Sequence, residues 1–229
     1  MPLPQESISV PLLTFPCGAL AAHTVDNKLV LLSTGRATSH IRSKSDYMGM
    51  PLLQGARARK LRLGTSWGFL PSLPHDADVL IGYDALCGGP DSVLRLCKRC
   101  GMSWDMGLGS ANNSWVRPLN KRLRDGRIAP LVELECGLNE YWLLDTSSPH
   151  STQQLRGGVP RLLPGVRDVR VAGIKLRTHV TQRAPQVVSA TGILGMDALQ
   201  GLELRVDDGQ HLSFRRCGCA QERRRRKTI

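Results

Sequence analysis

The chain has 229 residues, 41% of them hydrophobic and 22% charged, with a formal charge of +12. That is enough apolar material for one large or two small cored domains, and too much for a disordered chain. No stretch approaches the roughly 20 apolar residues that cross a bilayer, and the N-terminus has no basic segment followed by an apolar run, so a cytoplasmic protein without membrane contact is expected.

From the N-terminus, the first block that recurs is Leu31-Leu32-Ser33-Thr34-Gly35. Leu61-Arg62-Leu63 and Leu80-Ile81-Gly82 read as further short strands. Leu94-Arg95-Leu96 leads through Cys97-Lys98-Arg99-Cys100 to Ser103-Trp104, a strand, turn and strand. Residues 105–127 are rich in Gly, Asn and Arg without clear periodicity and read as a linker. Leu131–Glu135 alternates, Gly137–Glu140 can turn the chain, and Tyr141–Leu144 returns as an apolar strand. Leu202–Val206 alternates again, Asp208-Gly209 is a hairpin turn signal, and His211–Phe214 can pair back. Residues 217–229 form a basic tail. Its run Arg223–Lys227 suits a polyanion or a nuclear-targeting role as well as it suits plain solvation.

The blocks repeat in order. Leu31–Gly35 matches Leu143-Leu144-Asp145-Thr146-Ser147 at an offset of 112. Leu61–Leu63 matches Ile174–Leu176, and Leu80–Leu86 matches Ile193–Leu199, both at an offset of 113. Leu94-Arg95-Leu96 and Ser103-Trp104 match Leu204-Arg205-Val206 and Ser213-Phe214 at 110. Four blocks in constant order indicate two diverged copies of one unit, over residues 8–104 and 128–216.

The second copy resembles the retropepsin and pepsin class of aspartic proteases. Leu143–Ser148 is similar to the apolar-apolar-Asp-Thr-Gly-Ala/Ser catalytic loop. Ile193-Leu194-Gly195 is similar to the apolar-apolar-Gly strand that threads behind that loop. The resemblance implies an all-β, bilobed acid-protease fold built from two tandem retropepsin-like units, with the site where the lobes meet. It also implies an aspartic endopeptidase acting on an extended peptide, with its dyad centred on Asp145. Thr34 and Thr146 would tie the two loops together, and Gly35 would permit close approach. A monomer is expected, because both halves lie in one chain; a homodimer that pairs two Asp145 residues is the alternative.

Two positions depart from the family pattern. Ser33 stands where the first aspartate belongs, and Ser147 replaces the glycine of the second loop, where it is expected to strain the backbone. The chemistry needs two carboxylates that share one proton, one activating water and the other donating to the carbonyl oxygen. A serine cannot take that part. The alternative function is therefore a catalytically inactive, protease-like protein that binds an extended peptide or protein partner. Asp84 and Asp197, behind the loops, are read as structural. His40 and His150 are read as ordinary loop residues. Trp67 and the Gly165–Gly173 segment are read as core packing and a surface hairpin, with a flap position as the other option.

Seven cysteines cannot all pair internally, and in a reducing compartment they are expected as free thiols. Cys97-x-x-Cys100 and Cys217-x-Cys219 are the one candidate metal set, four thiolates for zinc. Cys-x-Cys is an unusual half-site, however, so no cofactor is expected. There is no phosphate loop, no His-Glu-x-x-His and no Gly-x-Ser-x-Gly. At 4% aromatic content, base-stacking surfaces are not expected either.

Overall fold

A computed structural model describes residues 8–40, 52–53, 61–62, 68–69, 72–87, 92–106, 115–122, 128–135, 140–154, 164–183, 190–206 and 212–219. The first half carries β1 (Ile8–Thr14), β2 (Leu20–His23), β3 (Leu29–Leu32), β4 (Ser39–His40), β5 (Leu52–Leu53), β6 (Leu61–Arg62) and β7 (Gly68–Phe69). After a 3-10 turn at Pro74–Asp76 come β8 (Val79–Ile81), α1 (Tyr83–Cys87), β9 (Ser92–Arg95) and β10 (Ser103–Met106). The second half carries β11 (Leu119–Arg122), β12 (Ile128–Glu133), β13 (Tyr141–Leu144), β14 (Thr152–Gln154), β15 (Gly165–Val171) and β16 (Ile174–Arg183). It closes with β17 (Gly192–Leu194), α2 (Met196–Leu199), β18 (Leu202–Val206) and β19 (Leu212–Arg216).

The repeat seen in the sequence is a repeat of topology. In the first lobe β3 runs parallel to β8, β8 antiparallel to β4, and β4 parallel to β7. In the second lobe β13, β17, β14 and β16 repeat the same three relations in the same order. A strand inserted between two others that are not joined by a hairpin is what carries the loops after β3 and β13 to the interface between lobes. The apolar runs Leu29–Leu32 and Tyr141–Leu144 are continuous because both of their faces are covered. Alternate side chains go opposite ways. Val30, Leu32, Trp142 and Leu144 enter the main core, while Leu31 and Leu143 enter two small clusters, with Leu80 and Ala77 in one and Ile193 and Ala190 in the other.

The lobes share one sheet. β9 and β10 form a hairpin from the first lobe, β18 and β19 one from the second, and β18 pairs with β9 so that Leu204 faces Leu94. The main core therefore runs through both lobes, with Leu94, Trp104, Leu204 and Phe214 in it together with Leu32 and Leu144. The fold is all-β and bilobed, of the aspartic-protease type.

The linker reading is corrected in part. Asp105 and Met106 complete β10, opposite Ser9 and Ile8 of β1. Leu119–Arg122 forms β11 along β12, an edge strand whose polar composition hid it. His40 ends β4 instead of lying in a loop. Gly165–Gly173 is the β15–β16 hairpin, turning through Ala172 and Gly173 at φ of 46° and 75°; its inner residues Val169, Val171, Leu176 and Val180 pack in the core. Trp67 and the Arg223–Lys227 run lie outside the described residues. No described helix is long and apolar enough to cross a membrane.

Candidate active site

The loops after β3 and β13 meet at the pseudo-twofold axis. Thr34 Oγ1 donates to Leu144 O at 2.8 Å and accepts from Thr146 N at 3.3 Å. Thr146 Oγ1 donates to Leu32 O at 2.8 Å and accepts from Thr34 N at 3.2 Å. Each threonine thus satisfies two backbone groups, one of them in the opposite lobe's strand end, and both side chains are wholly buried. This reciprocal pair closes within one chain.

Asp145 lies beside it, 1% exposed. Its Oδ1 accepts from Ser33 Oγ at 2.8 Å, Ser147 Oγ at 2.7 Å and Ser147 N at 3.0 Å. Its Oδ2 accepts from Ser148 Oγ at 3.0 Å, and Arg36 Nε stands 3.8 Å from it. Ser33 Oγ accepts from Gly35 N at 3.2 Å, which aims its proton at Asp145. Each of these side-chain bonds of Asp145 is donated to its carboxylate, and among the described residues no second carboxylate reaches it.

Gly35 is needed for space. A Cβ there would stand 2.9 Å from Asp145 Cβ, 3.0 Å from Asp145 Cγ and 3.1 Å from Leu143 Cδ2. The expected strain at Ser147 is absent, since it does not adopt a positive φ; its hydroxyl joins that of Ser33 on one oxygen of Asp145.

Asp84 and Asp197 are structural, as their place in the repeat implies. Asp84 Oδ1 accepts from Thr38 N and Oγ1, both at 2.8 Å. Asp197 accepts from Ser151 Oγ at 2.8 Å, and from Thr178 Oγ1 and His179 N at 2.7 Å. Thr38 and Ser151 in turn accept from Gly82 N and Gly195 N. Asp197→Ala strands two hydroxyls and an amide, and is expected to lower stability by about 3 kcal/mol in urea denaturation.

Beside Asp145 opens a cavity of about 460 Å³ lined by Arg36, His75, Ser147, Ser148, His150 and Thr181. His150 is thus a cleft residue, edge-on to His179 with ring centroids 6.4 Å apart. His75 Nε2 lies 3.1 Å from Ser147 O, and both His75 and Asp76 hold the left-handed conformation, at φ of 61° and 55°. Non-glycine residues are rarely found there, and such strain collects at clefts. Arg36 and His75 gave no signal in the sequence: Arg36 sits where the aspartic-protease loop pattern has Ala or Ser, and His75 belongs to a connecting turn. Away from the cleft, Cys97, Cys100, Cys217 and Cys219 come together, with all four sulfurs within 4.8 Å of one another.

No family model matches the chain, and no curated protein matches it. Among solved structures it is similar to basic 7S globulin from soybean, with a TM-score of 0.54 at 10% identity over 91% of this chain and 94% of that one. The likeness is one of fold, the bilobed aspartic-protease type, along nearly the full length of both chains.

Proposed function

We propose that the cleft between the lobes binds an extended peptide segment and does not hydrolyse it. The observation that carries this reading is Ser33, whose hydroxyl occupies the side of Asp145 where the partner carboxylate would stand. Hydrolysis by a dyad needs one carboxylate to activate water while the other delivers a proton to the carbonyl oxygen. The Ser33 hydroxyl is too weak an acid to give up its proton at useful pH, and Arg36 sets a fixed positive charge beside Asp145. Neither loss touches the ability to hold a strand-like ligand by main-chain hydrogen bonds and side-chain pockets. Arg36, His75 and His150 favour a segment carrying an acidic side chain, which Arg36 can meet with a charge-assisted bond.

The endopeptidase reading has one observation in its favour, the complete loop around Asp145. It requires a second carboxylate from another copy of the chain, and Ser33 and Thr34 already occupy that side of Asp145 and Thr146.

The test is an array of labelled extended peptides, neutral and acidic, read by fluorescence anisotropy and then by mass spectrometry. Acidic peptides are expected to bind and to be recovered intact, and Arg36→Ala should weaken them about tenfold, ~1.4 kcal/mol. If no peptide binds with a Kd below about 1 mM, the cleft has no such function.

A further inference from the structure

We propose that Cys97, Cys100, Cys217 and Cys219 form a structural zinc site that staples the two lobes together. The four sulfurs enclose one point. Cys97 Sγ lies 3.3 Å from Cys219 and 3.6 Å from Cys100. Cys217 Sγ lies 3.4 Å from both Cys100 and Cys219. A disulfide needs about 2.05 Å, and none of these thiols is so bonded. A tetrahedral ion with bonds of about 2.3 Å sets its sulfurs roughly 3.8 Å apart, so a small adjustment of side chains seats it.

The backbone holds the ligands in place from both lobes. Cys97 and Cys100 lie in the turn that joins β9 to β10, closed by Cys100 N donating to Cys97 O at 3.2 Å. Gly101 follows at a φ of 85°, turning the chain away from the site. Cys217 and Cys219 follow β19. The ends of β9, β18 and β19 are knitted by Leu96 N to Leu202 O, Gly201 N to Leu96 O and Cys217 N to Gly201 O, at 2.9, 3.0 and 2.9 Å.

Four sulfur ligands with no histidine or carboxylate select zinc among redox-inert ions, and leave no open position for catalysis. The loaded site would carry a net double negative charge, and Lys98 and Arg99 stand between two of its ligands in the sequence. Cys97 and Cys217 are buried, while Cys100 is exposed and gives the ion its entry path. Because the ligand pairs are 117 and 122 residues apart, one ion closes a loop that contains the whole second lobe.

The full chain, purified under reducing conditions without chelator, should carry about one zinc per chain, released by a thiol-reactive mercurial. Replacing zinc with cobalt should give a thiolate charge-transfer band and the visible bands of a tetrahedral ion. Cys100→Ser alters the exposed ligand and should lose most of the bound zinc, while Cys17→Ser should keep it. Less than about one zinc per ten chains together with a featureless cobalt titration would overturn the site. So would finding the four sulfurs as two disulfides in protein never exposed to oxidant. The wild-type zinc content decides the matter even if a variant fails to fold.

Discussion

Gly82→Ala is expected to abolish folding. Its Cβ would stand 2.2 Å from Ala37 C and Thr38 N and 2.4 Å from Arg36 O. All three are backbone atoms of the loop that carries Ser33 and Thr34 to the axis, so no side-chain rotation can relieve the clash. Moving that loop would break Ser33 N to Ile81 O and Tyr83 N to Arg36 O, and separate Thr38 from Gly82. A loss above about 4 kcal/mol, against total stabilities of about 5–15 kcal/mol, leaves little folded protein. Soluble yield and thermal unfolding measure it. Gly195→Ala meets backbone at 2.6 Å and should behave alike, whereas Gly218→Ala meets nothing within 4 Å and should stay within about 0.5 kcal/mol of wild type.

The second large effect is at the threonine pair. Thr146→Val keeps the shape but strands Leu32 O and Thr34 N in a buried interface. Each orphaned group costs about 1–3 kcal/mol, so a loss of ~3 kcal/mol is expected in urea denaturation, with Thr146→Ser costing far less. Thr34→Val should cost a similar amount. Because the two residues share one network, the double variant should lose less than the sum, by at least about 1 kcal/mol. Additive losses would mean that the two hydroxyls act independently.

Much of the fold was legible because a duplicated unit writes its plan twice. Ser33 with Asp145, Gly82 with Gly195 and Asp84 with Asp197 stand at matching places in the two copies. Their hydrogen bonds repeat as well: Thr38 to Asp84 and Ser151 to Asp197 each span 46 residues. The site was legible only where the loop motif itself names the residue. Arg36 and His75 act through space from a variable position and a connecting turn, which no spacing rule reaches. The four cysteines were visible as two half-sites. What brings them together is a sheet in which two distant hairpins pair side by side through β9 and β18, and local pattern does not encode that pairing. β11 was missed because an edge strand needs apolar residues on only one face.

The most direct test is peptide cleavage from acid to neutral pH by the wild type, by Ser33→Asp, and by Ser33→Asp combined with Ser147→Gly and Arg36→Ser. No cleavage is expected from the wild type. None is expected from Ser33→Asp alone, where Arg36 still sets a fixed positive charge beside Asp145. The triple variant has two carboxylates, the glycine of the protease loop pattern at 147 and no Arg36 charge beside them. It should cleave at acid pH, where the pair holds one proton, and lose that activity when Asp145→Asn is added. Cleavage by the wild type that disappears with Asp145→Asn would contradict the reading of this cleft as a binding site with a single carboxylate.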